Sequence, residues 1–176
     1  MKIYINECII EIDEVSTREF YNSHISDNDC DCSGCRNFRK FIPCFSDKVR
    51  DFFKSCGIDD MKKIAEIIPF VTLPDDQVFY GGFYHVAGKI IGGNETIQTI
   101  PCYEPKKDNF GKVIGTEKVG EKKKIYIASD KLEIEERFSV YFSDVCSLLP
   151  EGFPTDAVQL EIEANVPWII EDENTY

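Results

Sequence analysis

No run in this sequence approaches the roughly eighteen apolar residues of a membrane span. Its first residues, Met1-Lys2-Ile3-Tyr4-Ile5-Asn6-Glu7, lack the apolar stretch of a secretion signal. A soluble protein of the cytoplasm is therefore expected. Basic residues are also short: 20 Lys and Arg stand against 32 Asp and Glu, a net charge of −12. That balance repels nucleic-acid backbones and anionic membrane surfaces, so nucleic acid is disfavoured as a partner. Acidity speaks first to solubility, and it also suits a protein that occupies a basic site on a partner. There are only two histidines, His24 and His85. His85, between Tyr84 and Val86 in an expected strand, reads as a satisfied sheet residue, since nothing nearby supplies a catalytic partner. A phosphate loop is missing too: five residues separate Gly82 from Gly88, and Ile90 stands where Ser or Thr is required. No repeat, low-complexity segment or domain boundary stands out.

A chain of 176 residues, 43% of them apolar, can bury one core without covalent staples. A single domain over 1–176 follows, and its eight cysteines are expected to be thiols or metal ligands rather than a disulfide framework.

Ile3 and Ile5, then Cys8, Ile10 and Ile12, alternate about Asn6-Glu7 and predict an N-terminal hairpin. Ser16-Thr17-Arg18-Glu19 has the spacing of a capping box opening a brief helix. The polar run from Asn22 to Asp31 reads as loop. Phe38, Phe41, Ile42 and Phe45 recur at helical spacing until Pro43 intervenes. Ser46 is placed to cap a second helix carrying Val49, Phe52, Phe53 and Cys56, with Gly57 as its stop. Asp59 is placed to cap a third, carrying Met61, Ile64, Ala65 and Ile68 up to Pro69. Helices thus fill about 35–68.

Beyond Pro74, aromatic and β-branched residues predict sheet. Strands are expected at Gln77 to Phe79 and Phe83 to Ile91, with Gly81-Gly82 as a bulge or turn. A turn at Gly92-Gly93-Asn94 leads to a return strand at Thr96 to Tyr103. Further strands are expected at Lys112 to Val119, Lys123 to Ala128 and Phe138 to Phe142. The lysine runs Lys106-Lys107 and Lys122-Lys123-Lys124 read as solvated turns between them. Val158 to Ala164 alternates without exception, which buries one face and sends Glu161 and Glu163 to water, and Trp168-Ile169-Ile170 is expected to tuck back. The fold class is α+β: short helices on a mainly antiparallel sheet.

Chemistry concentrates at Cys30-Asp31-Cys32-Ser33-Gly34-Cys35-Arg36-Asn37-Phe38. Cys-x-x-Cys bends the backbone so that two sulfurs converge, and Cys30 can supply a third ligand for a thiophilic ion such as zinc. The fourth ligand must come from elsewhere. Cys44, nine residues past Cys35, lies about 13 Å away along a helix. Cys56 is favoured, because an antiparallel helical hairpin about Pro43 would return it to Cys35, and His24 is the third choice. The metal set is thus Cys30, Cys32, Cys35 and Cys56, a closed tetrahedral site whose chelation should lower stability. Against it, Cys35 and Cys56 are in phase with apolar helix faces, where thiols act as small buried hydrophobes. A third option is a redox dithiol of Cys32 and Cys35, with Cys32 activated by a helix N-terminus, although no βαβ unit accompanies it. Cys8, Cys102 and Cys146 read as packing residues.

This nine-residue segment and the helix after it resemble small bacterial and phage-borne proteins with a Cys-rich turn followed by Asn-Phe or Asn-Tyr, over at most residues 30 to 90. The resemblance brings no activity. It implies a bacterial or phage cytoplasmic setting, in which an acidic antagonist of a host factor is an alternative. With no convergent acid, base and nucleophile, but 13 Phe, 8 Tyr and 1 Trp for core and contact surfaces, the expected function is a non-enzymatic protein-binding role with a cysteine knuckle.

Overall fold

The computed structural model describes residues 1–24, 30–93 and 95–176, without the side chains at 96 and 98. Of the polar run 22–31, residues 25–29 lie outside the described residues, as does Asn94 of the expected turn.

The N-terminal hairpin is present as β1 (Lys2–Ile5) and β2 (Cys8–Ile12), with Asn6 at φ 49° in its turn. Helix α1 (Glu14–Ser23) follows, longer than the capping-box reading allowed. Its cap is Asp13, whose carboxylate accepts from the Ser16 amide at 3.1 Å and from the Ser16 hydroxyl at 2.7 Å. Helix α2 (Ser33–Phe41) leads into a 3-10 turn (Ile42–Cys44) at Pro43. Helix α3 (Asp47–Ser55) is capped by Ser46 and stopped by Gly57, whose φ of 86° is open to glycine and costly for other residues.

The third helix does not form. Asp60 caps a 3-10 turn (Met61–Lys63), and the chain then enters β3 (Glu66–Leu73). The β-branched residues Ile67, Ile68 and Val71 favour this pleat, and Pro69 is tolerated because β3 pairs on one side only and is irregular between Pro69 and Val71. Helix therefore ends at 63 rather than 68.

Strand β4 (Gln77–Gly92) is unbroken. Gly81-Gly82 is neither bulge nor turn: a Cβ on Gly82 would meet the Glu66 carbonyl at 2.4 Å, and one on Gly81 the Phe70 ring at 2.6 Å. The glycines let β3 lie close. Two corrections follow downstream. The expected return strand does not pair with β4, because β5 (Glu95–Lys107) pairs with β6 (Val113–Ile127) in a separate two-stranded ribbon. The two strands expected at 112–119 and 123–128 are the single strand β6, so both lysine runs lie largely within strands. The chain continues through β7 (Leu132–Glu135), absent from the sequence reading, then β8 (Phe138–Ser143) and β9 (Ala157–Pro167).

The main sheet is antiparallel throughout, in the order β1-β2-β4-β9-β8-β7 with β3 also on β4. Strand β4 is its spine. One edge pairs with β9 over Gln77 to Ala87, while the other pairs with β3 as far as Phe83 and with β2 from Gly88. Helix α1 fills the gap with side chains. The Tyr21 hydroxyl donates to the His85 carbonyl and accepts from its amide, each at 3.0 Å, and Thr17 Oγ1 accepts from the Ala87 amide at 2.9 Å. The backbone groups stranded between β3 and β2 are thereby paired.

Helices cover one face only. Val78, Tyr80, Tyr84 and Val86 of β4 and Leu160, Ile162 and Ala164 of β9 are buried beneath Phe38, Phe45, Val49 and Phe53. Edge-on ring contacts, such as Phe45 on Phe138 at 5.1 Å, knit the layers. This is the α+β architecture read from the sequence. No helix among the described residues is long and apolar enough to cross a membrane.

Candidate metal centre

Cys32 is the N-cap of α2. Its backbone is extended (φ −63°, ψ 158°), and its sulfur accepts from the Cys35 amide at 3.5 Å. The knuckle is thus a helix cap in which sulfur takes the place usually held by oxygen. Cys30 lies 3.5 Å from Cys32, sulfur to sulfur, and the sulfurs of Cys30, Cys32 and Cys35 all fall within 4.8 Å of one another. Sulfurs on a tetrahedral zinc, with bonds of about 2.3 Å, stand about 3.8 Å apart. Little rearrangement separates this cluster from a coordinating one.

The surroundings fix the turn from three sides. Gly34 lies under Pro69 and Tyr176, where a Cβ would meet Pro69 Cγ at 2.5 Å and Tyr176 Cζ at 3.0 Å. The Tyr176 hydroxyl accepts from the Gly34 amide at 3.1 Å and hydrogen-bonds the Ser33 hydroxyl at 3.3 Å. Arg39 donates to the Cys30 carbonyl at 2.6 Å and stands 3.6 Å from Asp31, while Arg36 pairs with Asp172. Beneath them Asn37 is fully buried, donating to the Tyr80 hydroxyl (3.2 Å) and the Pro167 carbonyl (3.1 Å) and accepting from the Ile169 amide (2.8 Å). Tyr80 donates onward to the Gly34 carbonyl at 3.0 Å. The turn is therefore tied to β4 and to the segment after β9, where Trp168-Ile169 tucks back as expected.

The sulfurs differ in electrostatic setting. Burial pushes the Cys32 thiol up, but hydrogen bonds from the Cys35 amide, Tyr176, Cys35 and Cys30 outweigh it and hold Cys32 down at about 7. Cys35, 2% exposed and 3.7 Å from the Ile67 carbonyl, is pushed well up by burial and then by its sulfur neighbours. A bound cation would reverse that, since thiolates are the ligands.

Cys56, the favoured fourth ligand, is not in the cluster. It is the fully buried C-cap of α3, where burial pushes its thiol up to about 12. The helical hairpin that was to return it does not form, because α2 packs on β3 and β9 while α3 packs on β7. Cys44, exposed in the 3-10 turn, and His24, stacked on Phe20 at 4.7 Å, are likewise outside the cluster. No cysteine is in a disulfide. His85 is buried, with Nε2 donating to the Ser147 carbonyl at 2.8 Å, and burial holds its pKa below the usual imidazole range. Sequence reasoning missed Tyr176, 142 residues from Gly34 and carrying no local signal. It also used Asn37 only as part of a resemblance.

Glu163 is paired with Lys131 at 2.6 Å, and Glu161 is half-buried beside Gln159 rather than turned to water, which raises its pKa. Compared with known proteins, the chain matches no family model, no curated protein and no solved structure.

Proposed function

We propose that the protein is a non-enzymatic binding protein of the bacterial or phage cytoplasm in which Cys30, Cys32 and Cys35 hold a single zinc ion. What supports the metal is the convergence of three sulfurs within 4.8 Å at a helix N-terminus. Thiolate donors favour a soft ion, and zinc is the common choice in a reducing compartment. Three thiolates leave the fourth position to solvent or to a donor brought by a partner. The net charge of −12 favours a protein partner with a basic surface. Elemental analysis of protein purified without chelator should find a stoichiometric zinc that Cys30→Ser removes and Cys56→Ser leaves in place, with chelation lowering the melting temperature. Wild-type protein without stoichiometric metal would overturn the assignment.

A second reading rests on the asymmetry between Cys32, held near 7, and the shielded Cys35. In it the Cys32 thiolate attacks a partner's disulfide and one partner sulfur leaves as thiolate; Cys35 then loses its proton and attacks the Cys32 sulfur of the mixed disulfide, releasing the second partner sulfur as thiolate. Two electrons pass to the partner, leaving a Cys32–Cys35 disulfide. Stoichiometric reduction of a small disulfide by metal-free protein, one equivalent per chain and abolished by Cys32→Ser, would select this reading over the first.

A further inference from the structure

The ribbon of β5 and β6 has no use in the fold described so far. Among the described residues its strands pair only with each other, the main sheet being reached at the root through the Ala128–Ser143 bridge and the Ile127 and Asp144 amides. A solitary two-stranded ribbon is marginal in water, yet this one carries large apolar side chains. Register and alternation put Ile97, Tyr103, Val113 and Ile125 on one face, each more than half exposed, and Phe110 at the tip is 96% exposed. Lys107, Lys118 and Lys123 share that face with Glu95 and Glu121, and the Lys118–Glu121 ion pair leaves Lys107 and Lys123 as its further cations. Residues 95–127 hold seven lysines against five acidic residues, a charge of +2 that leaves −14 on the rest of the chain.

The body offers the complement. On the sheet face away from the helices, Glu66, Phe70, Phe79, Tyr141, Glu161 and Glu163 line an open groove of about 490 Å³. Phe70 is 58% exposed, its ring tilted against Phe79 at 5.8 Å and lying over Gly81. The arm's root borders this groove, Lys124 and Tyr126 sharing a depression with Tyr141 and Glu161. Arm and groove thus sit side by side, the arrangement in which a two-fold axis sends each arm across its neighbour's groove.

We infer that the β5–β6 arm seats its apolar, lysine-bearing face in the aromatic, carboxylate-lined groove of a second copy of this chain, forming an arm-exchanged dimer. The size is adequate. Thirteen residues of β5 make a ribbon about 43 Å long at about 3.3 Å per residue, and a width of about 10 Å gives a face of about 400 Å². With both arm faces fully covered, exchange of two arms buries up to about 1,600 Å² in total, the standard size of a stable interface. The opposite charges of arm and groove set the register and make association sensitive to salt.

Sedimentation equilibrium on the full chain tests this. The wild type should be a dimer whose dissociation constant rises with salt. Lys107→Glu with Lys123→Glu on the arm, or Glu66→Lys in the groove, should each raise that constant at least about tenfold. An equimolar mixture of the two charge-reversed proteins should dimerise again, since each arm then meets a groove of opposite charge. Ile97→Asp with Ile125→Asp, on an arm outside the core, should also give monomers with an unchanged circular dichroism spectrum. A wild type that stays monomeric, a dimer indifferent to these changes, or a mixture no tighter than its components would overturn the inference, as would a monomer whose groove takes a basic peptide instead.

Discussion

Replacing Asn37 by alanine should cost more stability than removing any ionic contact around the cysteine turn. The fully buried Asn37 side chain makes three hydrogen bonds, two donated and one accepted, which tie α2 to β4, to the end of β9 and to the strap after it. Each is worth about 1 kcal/mol net, and the Ile169 amide and Pro167 carbonyl would be left without this partner where water reaches poorly, so the loss should be about 3 kcal/mol. For a chain of this length that corresponds to a fall of about 6 to 12 °C in melting temperature. Arg36→Ala, one position away, is the control: its pairing with Asp172 joins side chains 43% and 48% exposed and should be worth at most about 1 kcal/mol. Urea denaturation and calorimetry on both variants supply the comparison. An Asn37→Ala protein within about 1 kcal/mol of wild type, or one no worse than Arg36→Ala, would refute the claim that this amide anchors the turn.

Alkylation of metal-free protein should show Cys32 reacting with a midpoint near pH 7, and Tyr176→Phe should move that midpoint upward, because the phenol is one of the groups that hold Cys32 down. A lowered folded-state pKa contributes stability above the unfolded value of about 8.5, and the contribution disappears as pH falls through about 7. Cys32 is exposed, so the unfolding free energy should change by less than about 1 kcal/mol across that window, leaving the reaction rate as the sensitive readout. Gly34→Ala would gain about 1 kcal/mol of helix propensity. The new methyl, however, would sit 2.5 Å from a proline ring held in a strand, and overpacking of that kind costs about 2 to 3 kcal/mol. Net destabilisation of about 1 to 2 kcal/mol is expected, and a stabilised Gly34→Ala protein would show that Pro69 and Tyr176 do not hold the turn.

Features encoded within a few residues were legible in the sequence. The alternation of Ile3, Ile5, Ile10 and Ile12 fixed the first hairpin, since period two admits one buried face. Ser46 and Gly57 bounded α3 because capping and positive φ are local demands. The three-cysteine cluster was legible for the same reason: positions 30, 32 and 35 are joined by a single turn of chain, and sulfur convergence needs nothing beyond it. Asp59 misled because a cap and apolar spacing are shared by a helix and by a 3-10 turn entering a strand. What decided between them was pairing along β4, a contact with residues some fifteen positions onward.

Tertiary structure alone decided the rest. Gly81-Gly82 reads as punctuation in isolation, yet becomes the middle of a continuous strand once the Glu66 carbonyl and the Phe70 ring need the space of two missing side chains. The lysine-rich segments look like turns until their ladder partners are known. Cys56 matched the first turn of α2 only on the assumption of how two helices fold together, and packing sent it to a separate part of the core. In the same way Tyr176 and Asn37 acquired their roles from neighbours more than a hundred residues away. Sequence specified the sulfurs, because their spacing is covalent; what surrounds them, and hence how readily each gives up its proton, depends on which distant segments the fold brings against the turn.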